Sequence, residues 1–132
     1  MDLLSLRSSQ KRFQSIGILK YGPGLKAVLE IDEGIVKFYR SLIPKSYRIK
    51  GSRYKPHISV VRLRKEKPDQ KNWGALEGTE VPFEYSPIIY IGGVYAWLEA
   101  YGVEIARIRQ MLGLGEHRVG FNCYHITLGT FK

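Results

Sequence analysis

Pro56-His57-Ile58-Ser59-Val60-Val61-Arg62-Leu63 is the stretch on which the reading of this chain turns. Ile58, Val60 and Val61 are β-branched and apolar, so His57 to Leu63 is predicted to be a strand. Residues i and i+2 of a strand point to one face, which puts His57 beside Ser59 and leaves Ile58 and Val60 on the other side. The same order returns near the end of the chain as Tyr124-His125-Ile126-Thr127-Leu128, within a second strand-like run to Phe131. There His125 shares a face with Thr127. Composition alone gives a histidine an apolar–hydroxyl–apolar sequel about 2% of the time. Two of the three histidines have it, and only His117, in the loop Gly113 to Arg118, lacks it.

Upstream of each motif the pattern repeats. Leu25 to Ile31 alternates, with Leu25, Ala27, Leu29 and Ile31 on one face, which predicts a half-buried strand. Asp32 then caps a helix over about Glu33 to Leu42, with Ile35, Phe38, Tyr39 and Leu42 at helical spacing and Pro44 as its stop. In the second half Val94 to Glu99 alternates as a strand. Tyr101 to Leu112 carries Ile105, Ile108, Met111 and Leu112 on one helical face, ended by Gly113 and Gly115. Leu25 to Val94, Val36 to Ile105 and Leu42 to Met111 are each 69 apart, and His57 to His125 is 68. Gln14 to Lys20 and Val81 to Tyr90 read as further strands. Arg64 to Thr79, with Pro68, Gly74 and Gly78, reads as a linker. The expected fold is a single α+β domain over 1–132, bilobal and pseudo-symmetric. Lobe one covers about 14–63, the linker 64–79 and lobe two about 80–132. Each lobe is a small antiparallel sheet with one helix on its outer face, and a cleft lies between them.

With 132 residues the chain is sized for one compact domain. No stretch approaches the roughly 20 apolar residues of a membrane span. The opening, with Leu3, Leu4 and Leu6 before Arg7, Lys11 and Arg12, is too short an apolar run for a secretory signal. One cysteine, Cys123, fits a reducing compartment, so the expected location is the cytoplasm.

Twenty-one Lys plus Arg against 12 Asp plus Glu leaves a formal charge of +9. Lys45 to Lys67 holds nine of the basic residues, with Glu66 as the one acid and Tyr47 and Tyr54 among them. Basic residues interleaved with aromatics suit a groove that tracks phosphates and stacks bases. Glu77, Glu80, Glu84, Glu99 and Glu104 gather elsewhere, so the molecule is expected to be electrically lopsided, with an anion-binding face for RNA or a nucleotide.

Two His–hydroxyl pairs facing each other across a cleft suit phosphodiester chemistry. One imidazole takes a proton from the attacking hydroxyl or water, and the other protonates the leaving oxygen. Ser59 and Thr127 donate hydrogen bonds to the non-bridging phosphate oxygens. No CxxC, HExxH or P-loop pattern is present, so no metal site or cofactor is expected, and Cys123 reads as a space-filling residue. Tyr95 and Trp97, opposite Val94, Ala96 and Leu98, are candidates for base contact in the cleft, and Trp73 in the linker is a candidate lid. Lys55 and Arg64 are candidate phosphate contacts. Arg62, by strict alternation, should face away from His57.

The paired motifs resemble the signature of the two-histidine (2H) phosphoesterase superfamily, H-x-[ST]-x twice in a bilobal α+β domain. The resemblance covers about Leu25 to Phe131, and none of the four motif positions departs from the pattern. That group includes 2′,3′-cyclic nucleotide phosphodiesterases, RNA 2′,5′-ligase-like proteins and viral 2′,5′-oligoadenylate phosphodiesterases. It also includes the anti-CBASS nucleases with which phages evade antiviral defence by destroying cyclic oligonucleotide signals. The chain's length is nearer the compact viral and phage members, for which the location would be the host cytoplasm. The resemblance implies that His57 and His125 are catalytic, that Ser59 and Thr127 bind phosphate, and that a ribonucleotide phosphodiester is hydrolysed or transferred without a metal. The alternative is a non-catalytic module that holds RNA or a nucleotide in the basic cleft. No obligate protein partner is implied.

Overall fold

The structure, a computed structural model, describes residues 11–62 and 64–131. The opening leucines and Leu63, the expected end of the first motif strand, lie outside the described residues. Seven strands, two α-helices and two 3₁₀ turns are present among them. In chain order these are β1 (Phe13–Gly22), β2 (Lys26–Glu30), α1 (Glu33–Ser41), β3 (His57–Val61), β4 (Glu80–Tyr85), β5 (Tyr90–Gly92), β6 (Tyr95–Tyr101), α2 (Val103–Met111) and β7 (Tyr124–Thr130). Among the described residues no helix is long and apolar enough to cross a membrane.

The strands run β4-β1-β2-β3-β7-β6-β5 in one antiparallel sheet, and β4 also pairs with β6. Six strands therefore close into a barrel, with β5 as an extra strand on β6. This corrects the expected bilobal α+β fold of two separate helix-flanked sheets with a central cleft. Two pairings merge the expected lobes. The motif strands β3 and β7 are direct neighbours, with Ile58 opposite Ile126. The long β1 pairs with β2 on one edge and β4 on the other, so it belongs to both halves. The closing seam is short, Glu84 opposite Tyr101 and Tyr85 opposite Ala100.

The core follows from the alternation. Leu19, Leu29, Ile58, Val60, Leu98 and Ile126 come from five different strands and are buried in one cluster with residues of both helices. Asp32 caps α1, its carboxylate accepting from the Gly34 N–H at 2.9 Å, an arrangement worth about 1 kcal/mol. The buried row of α1 is Val36 and Tyr39, continued by Ile43. Phe38 and Leu42 of the expected face are 57% and 56% exposed, so the helix is rotated from the expected orientation. In α2, Ile105 and Ile108 are buried as expected.

Residues 64–79 are not a free linker. Gly78 N–H donates to Leu19 O at 2.8 Å and Leu19 N–H to Thr79 O at 3.1 Å, which extends the β1–β4 pairing. Trp73 sits edge-on to Tyr21 with ring centroids 4.7 Å apart, and Tyr21 Oη donates to Ala75 O at 2.8 Å. The indole packs on Tyr21 here and is not among the residues that line the motif cavity.

Candidate active site

The single register pair Ile58–Ile126 fixes the geometry of the motifs. In an antiparallel pair it sets His57 opposite Thr127 and Ser59 opposite His125, with all four side chains on the face away from the core. The two imidazoles lie diagonally, at backbone positions roughly 7–8 Å apart. Because each motif's second residue is the one paired, the two motifs are related by a local twofold axis. These four residues line one cavity of about 100 Å³.

Three arginines join them, Arg62, Arg109 and Arg118. Arg62 was expected to face away. A β-bulge reverses it: Ala27 pairs with Val61 and Val28 with Ser59, so Val60 is the extra residue in β3. Val60 and Val61 are consecutively buried, and the alternation resumes with Arg62 on the His57 side. The second motif does the same. Ala96 pairs with Gly129 and Trp97 with Thr127, leaving Leu128 as the extra residue in β7.

Arg118 reaches the cavity from the loop after α2. Its guanidinium lies over the Phe121 ring, 4.2 Å from the centroid, and its Nη1 is buried with no hydrogen-bond partner among the described residues. A buried donor without an acceptor is costly unless a ligand supplies one. Arg109 is already committed. It is 3% exposed, bonds Val60 O at 2.6 Å and Gly115 O at 2.8 Å, and grips Glu66 with two bonds of 3.0 and 2.6 Å. Burial would raise the Glu66 carboxyl, but the bonds from Arg109 and the Arg62 N–H, and the charges of Arg109 and Arg118, outweigh it and hold the group below the usual carboxylate range. The lone acid of the basic stretch is thus neutralised internally, and Arg62 and Arg118 set the sign of the cavity.

The histidines are held differently. His57 Nδ1 lies 2.8 Å from Lys55 O. A carbonyl only accepts, so Nδ1 carries the proton and Nε2 is the free nitrogen in the neutral ring. His125 packs against Trp97 at 5.6 Å and Phe121 at 5.5 Å between ring centroids. Burial pushes its pKa below the usual histidine value, Arg62 and Arg118 push the same way, and the Glu99 carboxylate only partly opposes them. Each histidine also has a glutamate opposite it on the outer neighbouring strand, Glu30 for His57 and Glu99 for His125. Glu99 accepts from Tyr101 Oη at 2.7 Å. Cys123 lines the cavity, but burial, followed by the charge and hydrogen bonding of Glu99, raises its thiol to about 11, so it is no thiolate nucleophile.

The remaining candidates separate. Trp97 packs on His125 and Tyr95 follows it on the same strand face, but neither lines the cavity. Lys55 lines a neighbouring hollow that shares His57. Arg64 has turned away: it adopts a left-handed φ of 59° and lines a different hollow with Pro23 and Gly24. Trp73 is not among the walls. His117 packs on Tyr124 at 4.9 Å. Glu30 and Glu99 are themselves 69 apart, so the repeat offset carries the signal for them. Nothing in the sequence marked Arg118.

A larger cavity, about 850 Å³, lies between β1, β4 and the start of α2. Among the described residues it carries no histidine, and its one cation, Arg12, is accompanied by Asp32, Glu84 and Glu104. An anion would be repelled there. Among the described residues no three His, Cys, Asp or Glu side chains converge as metal ligands. No protein-family model, no curated protein and no solved structure matches this chain.

Proposed function

We propose that the protein is a metal-independent phosphodiesterase of the two-histidine type, acting on a ribonucleotide phosphodiester. The observation that carries this reading is the pairing of Ile58 with Ile126, which brings two imidazoles and two hydroxyls to a cavity whose free charges are Arg62 and Arg118. Holding an anion needs the arginines but no matched pair of imidazoles. A space of about 100 Å³ is below the range of whole-ligand pockets and takes one phosphate group, with the nucleosides outside it.

His125, kept neutral by its burial and by Arg62 and Arg118, takes the proton from the attacking hydroxyl or water as the new P–O bond forms. His57, with Nδ1–H held by Lys55 O, presents Nε2 with the second proton and delivers it to the leaving oxygen as the old P–O bond breaks. Ser59, Thr127 and the unpartnered Nη1 of Arg118 donate to the non-bridging oxygens, where charge accumulates. The substrates of this chemistry are 2′,3′-cyclic phosphates, 2′,5′ linkages and cyclic oligonucleotides.

The test is a panel of 2′,3′-cyclic mononucleotides, 2′,5′-oligoadenylate and cyclic di- and trinucleotides, assayed in excess EDTA. Turnover of at least one, abolished in folded His57→Ala, is the expected result. Binding without turnover by the wild type would leave the module that only holds RNA or a nucleotide.

A further inference from the structure

The local twofold between β3 and β7 continues into the strands on either side. Val28 stands opposite Ser59 as Trp97 stands opposite Thr127, and Glu30 stands opposite His57 as Glu99 stands opposite His125. The centre is therefore close to symmetric, but its flanks differ. Beyond His125 the wall is aromatic: Tyr90 stacks on Trp97 with rings 5.9 Å apart and 19° from parallel, and Tyr95 beside them is 52% exposed. At the positions equivalent to Tyr95 and Trp97, the other flank has Lys26 and Val28. These two line a second hollow of about 360 Å³ with Glu30, Tyr54 and Lys55, and His57 is a wall of both hollows. Two ammonium groups there face one carboxylate. Arg53, 5.4 Å from the Tyr54 ring centroid, and Lys20, opposite Val28 in β1, add positive charge at the rim.

We propose that the substrate is a single-stranded oligonucleotide bound in one direction across the histidine pair. A nucleobase stacks on the Tyr90–Trp97 wall beyond His125, and the phosphate next to the scissile one is held by Lys26 and Lys55 beyond His57. This rests on the phosphoester reading of the central cavity. That cavity has room for one phosphate, so the rest of the substrate lies on the flanks, and with alike flanks only the different settings of the two histidines would orient it. An aromatic face is sequence-tolerant for bases, and lysine holds phosphate as a point charge. The asymmetry therefore assigns the base to one side and the extra phosphate to the other.

Three short RNAs test this: a dinucleoside monophosphate, and the two isomers carrying one further phosphate at the 5′ or at the 3′ end. Binding is read by fluorescence anisotropy before measurable turnover. One isomer should bind several-fold more tightly than the parent, and Lys26→Gln/Lys55→Gln should erase that advantage while leaving the other isomer unchanged. Both lysines are exposed, so the fold is not at stake. Trp97→Leu should weaken all three ligands roughly 5- to 150-fold. Trp97→Phe should restore most of the loss, and a ligand abasic at the end away from the favoured phosphate should be insensitive to either change. Equal binding of the two isomers, or a lysine effect shared by both, overturns the proposal. Turnover of the panel of 2′,3′-cyclic, 2′,5′-linked and cyclic substrates by the wild type tests the phosphoester reading separately. Directional binding with no turnover sinks the enzyme while keeping the flanks, and turnover with no isomer preference does the reverse.

Discussion

His57 and His125 occupy equivalent places on the local twofold, yet one is tied by Nδ1 to a backbone carbonyl and the other is packed between Trp97 and Phe121. On the proposed mechanism that difference divides the roles of base and acid, and kinetics can read it. Replacing either histidine with Ala should cost about 10²–10⁴-fold in rate, and the double variant little more, because the two act as one unit. Ser59→Ala and Thr127→Ala should each cost at most about 10²–10³-fold, as for one oxyanion donor. The pH profile should be bell-shaped. A base works unprotonated, so the acidic limb follows His125 and falls below the ordinary histidine value of about 6.5, in the direction in which burial shifts it. An acidic limb above that value in kcat/KM would reverse the assignment.

At the scale of the strand, the motif was legible and its surroundings were not. Alternation gave the face shared by His57 and Ser59, and by His125 and Thr127. It failed three residues later, at Val60 and Leu128, because a bulge adds a residue without any mark in composition, and Arg62 crossed to the face of His57 and Ser59. The bulge in β3 is secured from α2. The Arg109 guanidinium holds Val60 O and the Glu66 carboxylate together, and both side chains are nearly inaccessible. Arg109→Met leaves Glu66 buried without its counter-charge and should cost about 3–5 kcal/mol in chemical denaturation. Glu66 also ties stability to acidity. Its folded pKa is depressed, so its contribution is complete above the ordinary carboxylate value and is lost as pH falls through the lower folded one. The wild type should lose stability over that acidic window and Glu66→Gln should show a flatter profile there. Matching slopes would mean that the pair is not coupled to titration.

Across the whole molecule, the repeat at 69 was real in the strands and misleading about their assembly. Two strand–helix–strand units suggest two lobes until the partners of each strand are known, and those partners are far away in sequence. Phe13 pairs with Tyr85, and the barrel closes on two residue pairs between β4 and β6. Neither pairing leaves a local pattern. Charge differs from topology in that a surplus of nine cations is fixed by composition and persists in any arrangement. Affinity for a single-stranded 10-mer should fall with salt with a log–log slope of about −0.7 per phosphate contacted. A 2′,3′-cyclic mononucleotide should respond far less. A 10-mer indifferent to salt would show that the lysines and arginines around the cavity do not touch its backbone.

The short seam between β4 and β6 also bears on how the protein behaves in company. An open seven-stranded sheet would offer two long rows of unpaired N–H and C=O groups to any neighbouring strand, a standing invitation to aggregate. Here one end of the sheet is β5, three residues long and broken by Gly92 and Gly93. Along β4, the seam occupies Glu84 and Tyr85, and the stretch before it includes Pro82, which has no N–H to offer. Ring closure thus removes most of the template for edge-to-edge growth. A chain closed in this way can stand at high concentration without recruiting further copies of itself through its backbone.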